Sequence, residues 1–352
     1  MDDFSGKIAV VTGGGTGMGR ALCEALAAAN CHIALCDVSE DAMQETKALC
    51  AALSDVSVST HLCDVSIEAD LLRFQQEVAS IHGESIHLLF NNAGIGGGGG
   101  FVAGDRDEWE KTFAVCWYGV YYGCRAFLPM LLKSDEGHIV NTSSINGFWA
   151  SLGPTVPHTA YAAAKFAVKG FSEALINDLR LNAPHIQVSV VMPGHIGTSI
   201  AINSGKILGH TPPLDMSADE VRVVRERFMK QPGPMTEMMM NLSDDQLRDA
   251  MHQRGIDFRD NAPMSATDAA AVILDGVRAS SSARASSRAA SPPRWPRPSS
   301  RPPSTTATRP SWSRSVAAWA RPCPDSRSRS SSRPTPIGAG DACRRPTPRI
   351  PA

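Results

Sequence analysis

Between Lys7 and Gly194 the chain repeats one pattern: a short β-rich apolar run, a helical stretch, then another apolar run. The runs are KIAVVTGG, HIALCDV, VSVSTHLCDV, IHLLFNNAG, GHIVNTSS and IQVSVVMPG. A strand that is apolar at every position is buried on both faces, and a parallel sheet covered by helices on each side provides that burial. Parallel neighbours need a crossover, and the intervening stretches supply right-handed helical ones. These stretches run over about Thr16–Asn30, Ser39–Leu53, Ser66–His82, Asp107–Leu132 and Thr159–Leu181. The expected architecture is α/β: a Rossmann-type doubly wound parallel sheet in three α/β/α layers.

The first apolar run opens directly into a glycine-rich turn and a helix, VVTGGGTGMGRAL. Glycine is needed where a backbone turns sharply and where it approaches a pyrophosphate closely. The helix start then offers unpaired N–H groups and a positive dipole end. An acid, Asp37, closes the second strand. A carboxylate there can accept from both ribose hydroxyls of adenosine and repels a 2'-phosphate. No basic residue lies in the loop before Arg20, so NAD is expected in preference to NADP.

At the other end, Tyr161 and Lys165 stand four apart in TAYAAAKFAV, on one face of a helix and one turn from each other. A phenol titrates near about 10, too high for a base at neutral pH, unless an ammonium and a cationic ring stabilise the phenolate. Ser143 and Ser144 follow the fifth strand at the carboxyl edge of the sheet, where either could serve as a hydroxyl donor or as turn chemistry.

These motifs, in this order, resemble the short-chain dehydrogenases/reductases from about Lys7 to Arg278: the spacing of Thr12, Gly13, Gly17 and Gly19, the CDV at Cys63–Val65, NNAG at Asn91–Gly94, NTSSING, YAAAK and PGHIGT. The resemblance implies Ser144, Tyr161 and Lys165 as catalytic residues. It implies cofactor contacts from Gly13, Thr16, Gly17, Met18, Gly19, Asp37, Asp64, Val65, Asn91, Ala93 and Gly94. On the nicotinamide side it implies contacts from Tyr161, Lys165, Pro193, Gly194, Ile196 and Thr198. It further implies hydride transfer between a nicotinamide cofactor and a secondary alcohol or ketone, with Tyr161 as general acid or base and no metal. Two positions depart from the family. Cys116 stands in FAVCWYG where the family usually has an asparagine, and it reads as a buried structural thiol. ASLGPTVPHT, ending at Thr159, inserts extra residues between Ser144 and Tyr161, with His158 either a loop residue or a substrate contact.

After Pro193 the pattern gives way to a segment rich in Pro, Met and charge, expected to form a substrate lid over about 199–264 with helices near Ala218–Lys230 and Asp244–Arg254. Its Ile200, Ile202, Ile207, Leu208, Leu214, Phe228 and MTEMMMNL suit an apolar substrate or the lid's own packing. Phe148, Trp149 and Trp117 are candidate apolar walls. A last helix is expected over Ala266–Arg278, capped by Ser265 or Thr267. The single catalytic domain then ends at residue 278.

Composition constrains the rest. The net charge of −1 gives no general drive toward nucleic acid or membrane, and no run reaches the ~18 apolar residues of a membrane span. Nine cysteines without a C-x-x-C pair read as thiols of a reducing, cytoplasmic setting. From Ala279 to Ala352 the chain is an Arg/Ser/Pro/Ala tail with the composition of disorder. Its arginines could meet phosphates, but it carries no folded nucleic-acid motif. The resemblance calls for a seventh strand here, often Ile-Leu-Val-Gly, and none is written. Codons for Ala279–Arg284 can be chosen so that, one nucleotide earlier, they read Arg-Ile-Leu-Val-Gly-Glu, which raises a frameshift at or just before Arg278. The homodimer or homotetramer the family implies is correspondingly weakened by this C-terminus. A second function class is a cofactor-binding regulator of the same fold without turnover.

Overall fold

The computed structural model describes residues 1–289 except 98, 103, 151–156 and 230–237. Six parallel strands form the central sheet: β1 (Ile8–Thr12), β2 (His32–Asp37), β3 (Val58–Leu62), β4 (Leu88–Asn91), β5 (Gly137–Thr142) and β6 (Ile186–Val191). Their order is β3-β2-β1-β4-β5-β6. The chain therefore winds outward from β1 to β3, returns to the middle, and winds outward again through β4 to β6. The reversal falls between β1 and β4, so the crevice beyond their carboxyl ends is where this architecture takes a ligand.

The continuous apolar runs are explained by a strict two-sided partition. Val10, Ala34, Cys36 and Leu89 join one core cluster with Phe74, Val120, Phe127 and Val168. Their strand neighbours Ala9, Val11, Ile33, Leu35, Leu88 and Phe90 join the other, with Phe4, Leu22, Leu26, Met43, Ile273 and Leu274. Successive side chains of a strand point to opposite faces, so both layers draw on the same five or so residues of each strand. The helices on one face are α3 (Glu68–His82), α5 (Gly119–Leu131) and α6 (Thr159–Asn182); on the other are α1 (Gly17–Ala28), α2 (Glu40–Ala51) and the last helix.

The long helix expected near Asp107–Leu132 is continuous but not uniform. Helix α4 (Arg106–Phe113) passes into α5 through a π-helical turn, Ala114–Tyr118. The wider turn buries two consecutive residues, Val115 and Cys116. Periodicity alone cannot announce such a bulge, which recurs at functional sites.

The segment expected to form a lid is helical. It leaves the domain at β7 (Ile196–Gly197) and returns at β8 (Met264–Ser265), two short strands paired in parallel. Between them lie α7 (Ile200–Ile207), α8 (Ala218–Met229) and α9 (Asp244–Asp260). Helix α9 outruns its predicted end, starting from a capping box in which Ser243 and Gln246 satisfy each other's amides. The lid has its own small core of Val221, Met239 and Leu247. Its Met235 lies outside the described residues, as does the Phe228 side chain.

The last helix, α10, is capped by Ser265, whose hydroxyl accepts the Asp268 amide at 3.0 Å. It does not stop at Arg278 but runs to Ala289. No Gly or Pro interrupts Ala279–Ala289, and Ala and Arg are strong helix formers, so nothing local ends the helix there. Among the described residues β6 is the outer strand, and Gln187–Val191 are only half-buried. The remaining tail reading, beyond Ala289, lies outside the described residues. No helix in the described residues is long and apolar enough to cross a membrane.

Candidate active site

A cavity of about 430 Å³ opens at the carboxyl ends of β1 and β4, the switch point of the sheet. Thr12 closes β1 and ties the two strands together. Its hydroxyl donates to Phe90 O at 3.3 Å and accepts the amides of Asn92 at 3.0 Å and Ala93 at 3.1 Å. Gly13 follows with φ +65°, and a Cβ there would sit 2.8 Å from the Ala93 backbone. A Cβ on Gly19 would meet Gly13 O at 2.0 Å. The loop is thus folded against its own helix start, leaving the first amides of α1 without intrahelical partners and facing the cavity.

Asp37 is built into this loop. Its carboxylate accepts the amides of Gly15 at 2.9 Å, Val38 at 2.8 Å and Ser39 at 3.2 Å. On the loop's outer side, Gly15 O accepts the Arg20 guanidinium at 2.7 Å and the Thr46 hydroxyl at 3.1 Å. Arg20 is also paired with Glu45 at 2.7 Å, which holds that carboxyl below the usual range. Arg20 is thereby committed to the loop and to Glu45.

Next along the cavity, burial pushes the Asp64 carboxyl up, but hydrogen bonds from Lys111 at 2.5 Å and from Ser66 outweigh it and hold the group below the ordinary carboxylate value. Asp64 and Val65 line the cavity with Cys63 and Val38. Sequence reasoning did not single out Lys111, because nothing local marks a lysine whose partner lies forty-odd residues upstream.

At the far end, Ser144, Tyr161 and Lys165 all line the cavity. Lys165 is 2% exposed, its Nζ donating to Thr142 O at 2.8 Å and lying 5.5 Å from the Tyr161 ring centroid. The two serines separate by their bonds. Ser143 donates to the Lys165 carbonyl at 2.7 Å and so secures α6 to β5. Ser144 caps the short 3-10 turn Ile145–Gly147, accepting the Asn146 amide at 3.2 Å, with Pro193 O at 3.5 Å. The Tyr161 hydroxyl makes no hydrogen bond to a described residue.

Of the cofactor residues read from sequence, Gly13, Thr16, Gly17, Met18, Gly19, Asp37, Asp64, Val65, Ala93, Gly94, Pro193, Gly194, Ile196 and Thr198 line the cavity. Asn91 does not. It is 1% exposed within β4 and donates to Asn141 Oδ1 at 2.8 Å, while its neighbour Asn92 reaches the cavity. Cys116 is fully buried, its thiol donating to Ile95 O at 3.2 Å. Phe148 and Trp149 are exposed, and Trp117 stacks on Tyr121 rather than facing the cavity. Ile95, Val115, Ile145, Ile200, Ile207 and Phe258 form the apolar wall instead. The methionines Met238 and Met240 are exposed and Met239 packs inside the lid, so none of the three touches the cavity.

Two lid residues missed in the sequence fasten α7 over the cavity. Ser204 accepts the Gly96 amide at 2.8 Å, and Asn203 donates to Thr16 at 3.3 Å. The spacing Ile200, Ser204, Ile207 marks one helical face and is the signal that could have found them.

The short chain dehydrogenase family model matches residues 7–207. The oxidoreductase SadH of Mycobacterium tuberculosis is 39% identical over 204 residues, covering 58% of this chain and 72% of SadH. Mouse estradiol 17-beta-dehydrogenase 11 is 31% identical over 209 residues, covering 59% and 68%. A crystal structure of a short chain dehydrogenase/reductase from Burkholderia phymatum in complex with NAD superposes with a TM-score of 0.60 at 32% identity, covering 79% of this chain and 87% of that one.

Proposed function

Because the chain belongs to the short-chain dehydrogenase family, we propose that it interconverts a secondary alcohol and a ketone, with NAD rather than NADP as its cofactor. The residues present fit a dinucleotide: glycines stand where a Cβ would fill the cradle, and Asp37 is held ready at the adenosine end. Gly13, Thr16, Gly17, Met18 and Gly19 would hold the pyrophosphate, Asp37 the ribose hydroxyls, Asp64 and Val65 the adenine. Ala93, Gly94, Pro193, Gly194, Ile196 and Thr198 would border the nicotinamide. A nicotinamide held there would supply the chemistry of a hydride acceptor or donor.

The side chains then divide the proton work. Tyr161 presents its unpartnered hydroxyl to the substrate oxygen, giving a proton in reduction and taking one in oxidation. Ser144 donates to the same oxygen. Lys165, fixed by Thr142 O, sets a positive charge beside the phenol ring. The apolar wall from Ile95 to Phe258 favours a substrate whose bulk is hydrocarbon.

The observation that carries this reading is the convergence of Ser144, Tyr161 and Lys165 on one cavity with the glycine loop and Asp37. A panel of secondary alcohols with NAD and with NADP, followed by nicotinamide absorbance, tests it. Turnover with NAD is expected. Cofactor binding without turnover of any alcohol or ketone would favour the regulator instead.

A further inference from the structure

Several polar side chains on the substrate half of the cavity are committed within the protein. Asn146 donates to Trp149 O at 3.5 Å, and His195 Nε2 is bonded to Phe258 O at 2.6 Å. Asn203 and Ser204 hold the lid helix as described. His158 differs. It lines the cavity, yet its ring makes no hydrogen bond to any described residue. Its Nδ1 is shielded from solvent and unpartnered, which leaves Nε2 as the accessible ring nitrogen.

The residue is also held in place. Directly after it, the amide and hydroxyl of Thr159 both donate to Gly99 O, at 3.1 and 3.0 Å, and the Trp109 indole donates to the Thr159 hydroxyl at 3.0 Å. The His158 carbonyl accepts the Ala162 amide at 2.8 Å, so the residue is fixed at the start of α6, one turn before Tyr161. The two rings meet edge to face with centroids 6.0 Å apart. Burial pushes the imidazole's titration down, favouring the neutral ring, which can donate or accept through Nε2.

We propose that His158 is a substrate-contacting specificity residue that hydrogen-bonds a second polar group on the ketone or alcohol, a hydroxyl or carbonyl on a carbon adjacent to the reacting one or one further away. The preferred substrates are then bifunctional: hydroxy ketones, diketones or diols with an apolar remainder. This rests on the dehydrogenase reading for the identity of the reacting group, with Tyr161 at its oxygen.

The test compares a matched pair, phenylacetone and phenylacetylcarbinol, which differ by one hydroxyl beside the carbonyl. Dissociation constants are measured by calorimetry on the full chain without cofactor. The wild type is expected to bind the hydroxy ketone about tenfold more tightly. His158→Leu should erase that ratio while leaving phenylacetone binding unchanged, and His158→Gln should keep part of it. A wild type that binds the two ketones equally or not at all overturns the proposal, as does a Leu variant that keeps the wild-type ratio. Because binding is read without turnover, absent turnover counts against the dehydrogenase reading alone.

Discussion

Asp37 and Gly15 are joined through a carboxylate–amide hydrogen bond of 2.9 Å, so the acid that ends β2 is part of the glycine loop rather than a neighbour of it. Removing it affects two things together. Asp37→Ala should lower kcat/KM for NAD by about 10- to 100-fold, the range for lost hydrogen bonds to a charged group. It should also narrow the preference for NAD over NADP, since a 2'-phosphate no longer meets a carboxylate. Cofactor kinetics with both nucleotides read the change; an unaltered NAD/NADP ratio contradicts the role given to Asp37.

Tyr161→Phe keeps the ring packed against His158 and removes the hydroxyl alone. Turnover should fall by ~10²–10⁴-fold, with NAD affinity by fluorescence titration little changed. Full activity in this variant is incompatible with proton transfer at Tyr161.

The adjacent serines should respond in opposite ways. Ser144→Ala should cut turnover with little effect on stability. Ser143→Ala should cost about 1 kcal/mol of stability, for the lost bond to the Lys165 carbonyl, and leave the chemistry mostly intact. Thermal unfolding beside single-turnover rates separates the two, and the reverse pattern would exchange their roles.

The Lys111–Asp64 pair predicts a pH dependence. Asp64 is depressed in the folded protein below its ordinary 3.8. A depressed carboxyl stabilises the fold at pH values above the unfolded value, and that contribution is lost as pH falls through the folded one. Lys111→Met should therefore be less stable than the parent at neutral pH, and the gap should close in acid below about pH 3.8. Denaturant unfolding at several pH values measures it; a constant gap removes the pair from the account.

Among the described residues no strand pairs with the outer edge of β6, and Gln187–Val191 are half-buried. We propose that the coding DNA, read one nucleotide earlier from the codon of Arg278, encodes the seventh strand that the family resemblance calls for, and that a chain so restored scatters less light on concentration than the present one, since an unpaired apolar edge invites pairing between molecules. An early stop codon in the shifted frame ends the idea.

How much of this was legible in the sequence follows from how local each signal is. The inner strands were readable because residues buried on both faces leave few polar positions in them, as in IALC at Ile33–Cys36. Gly13, Gly19, Tyr161 and Lys165 were readable because each sits in a short motif. Asn91 was misplaced because alternation along a strand decides which of two adjacent asparagines meets the cavity, and the motif names both. The extension of α10 was missed because weak composition was read as an end, although nothing in Ala279–Ala289 breaks a helix. The sequence left Ile200, Ile207 and the methionines of MTEMMMNL open between substrate wall and packing; Ile200 and Ile207 line the cavity, Met239 joins Val221 and Leu247 in a small core, and Met238 and Met240 are exposed.

The pairing of Ile196 with Met264 brings the two ends of the lid side by side at the rim of the sheet. Everything between them is a loop tied off at its neck, an interchangeable cassette. The glycine loop, Asp37, Ser144, Tyr161 and Lys165 all lie outside that cassette. On the function proposed above, exchanging this one contiguous stretch would replace Thr198 and the Ile200, Ile207 and Phe258 wall, and would leave Ser144, Tyr161, Lys165 and the proposed contact His158 in place.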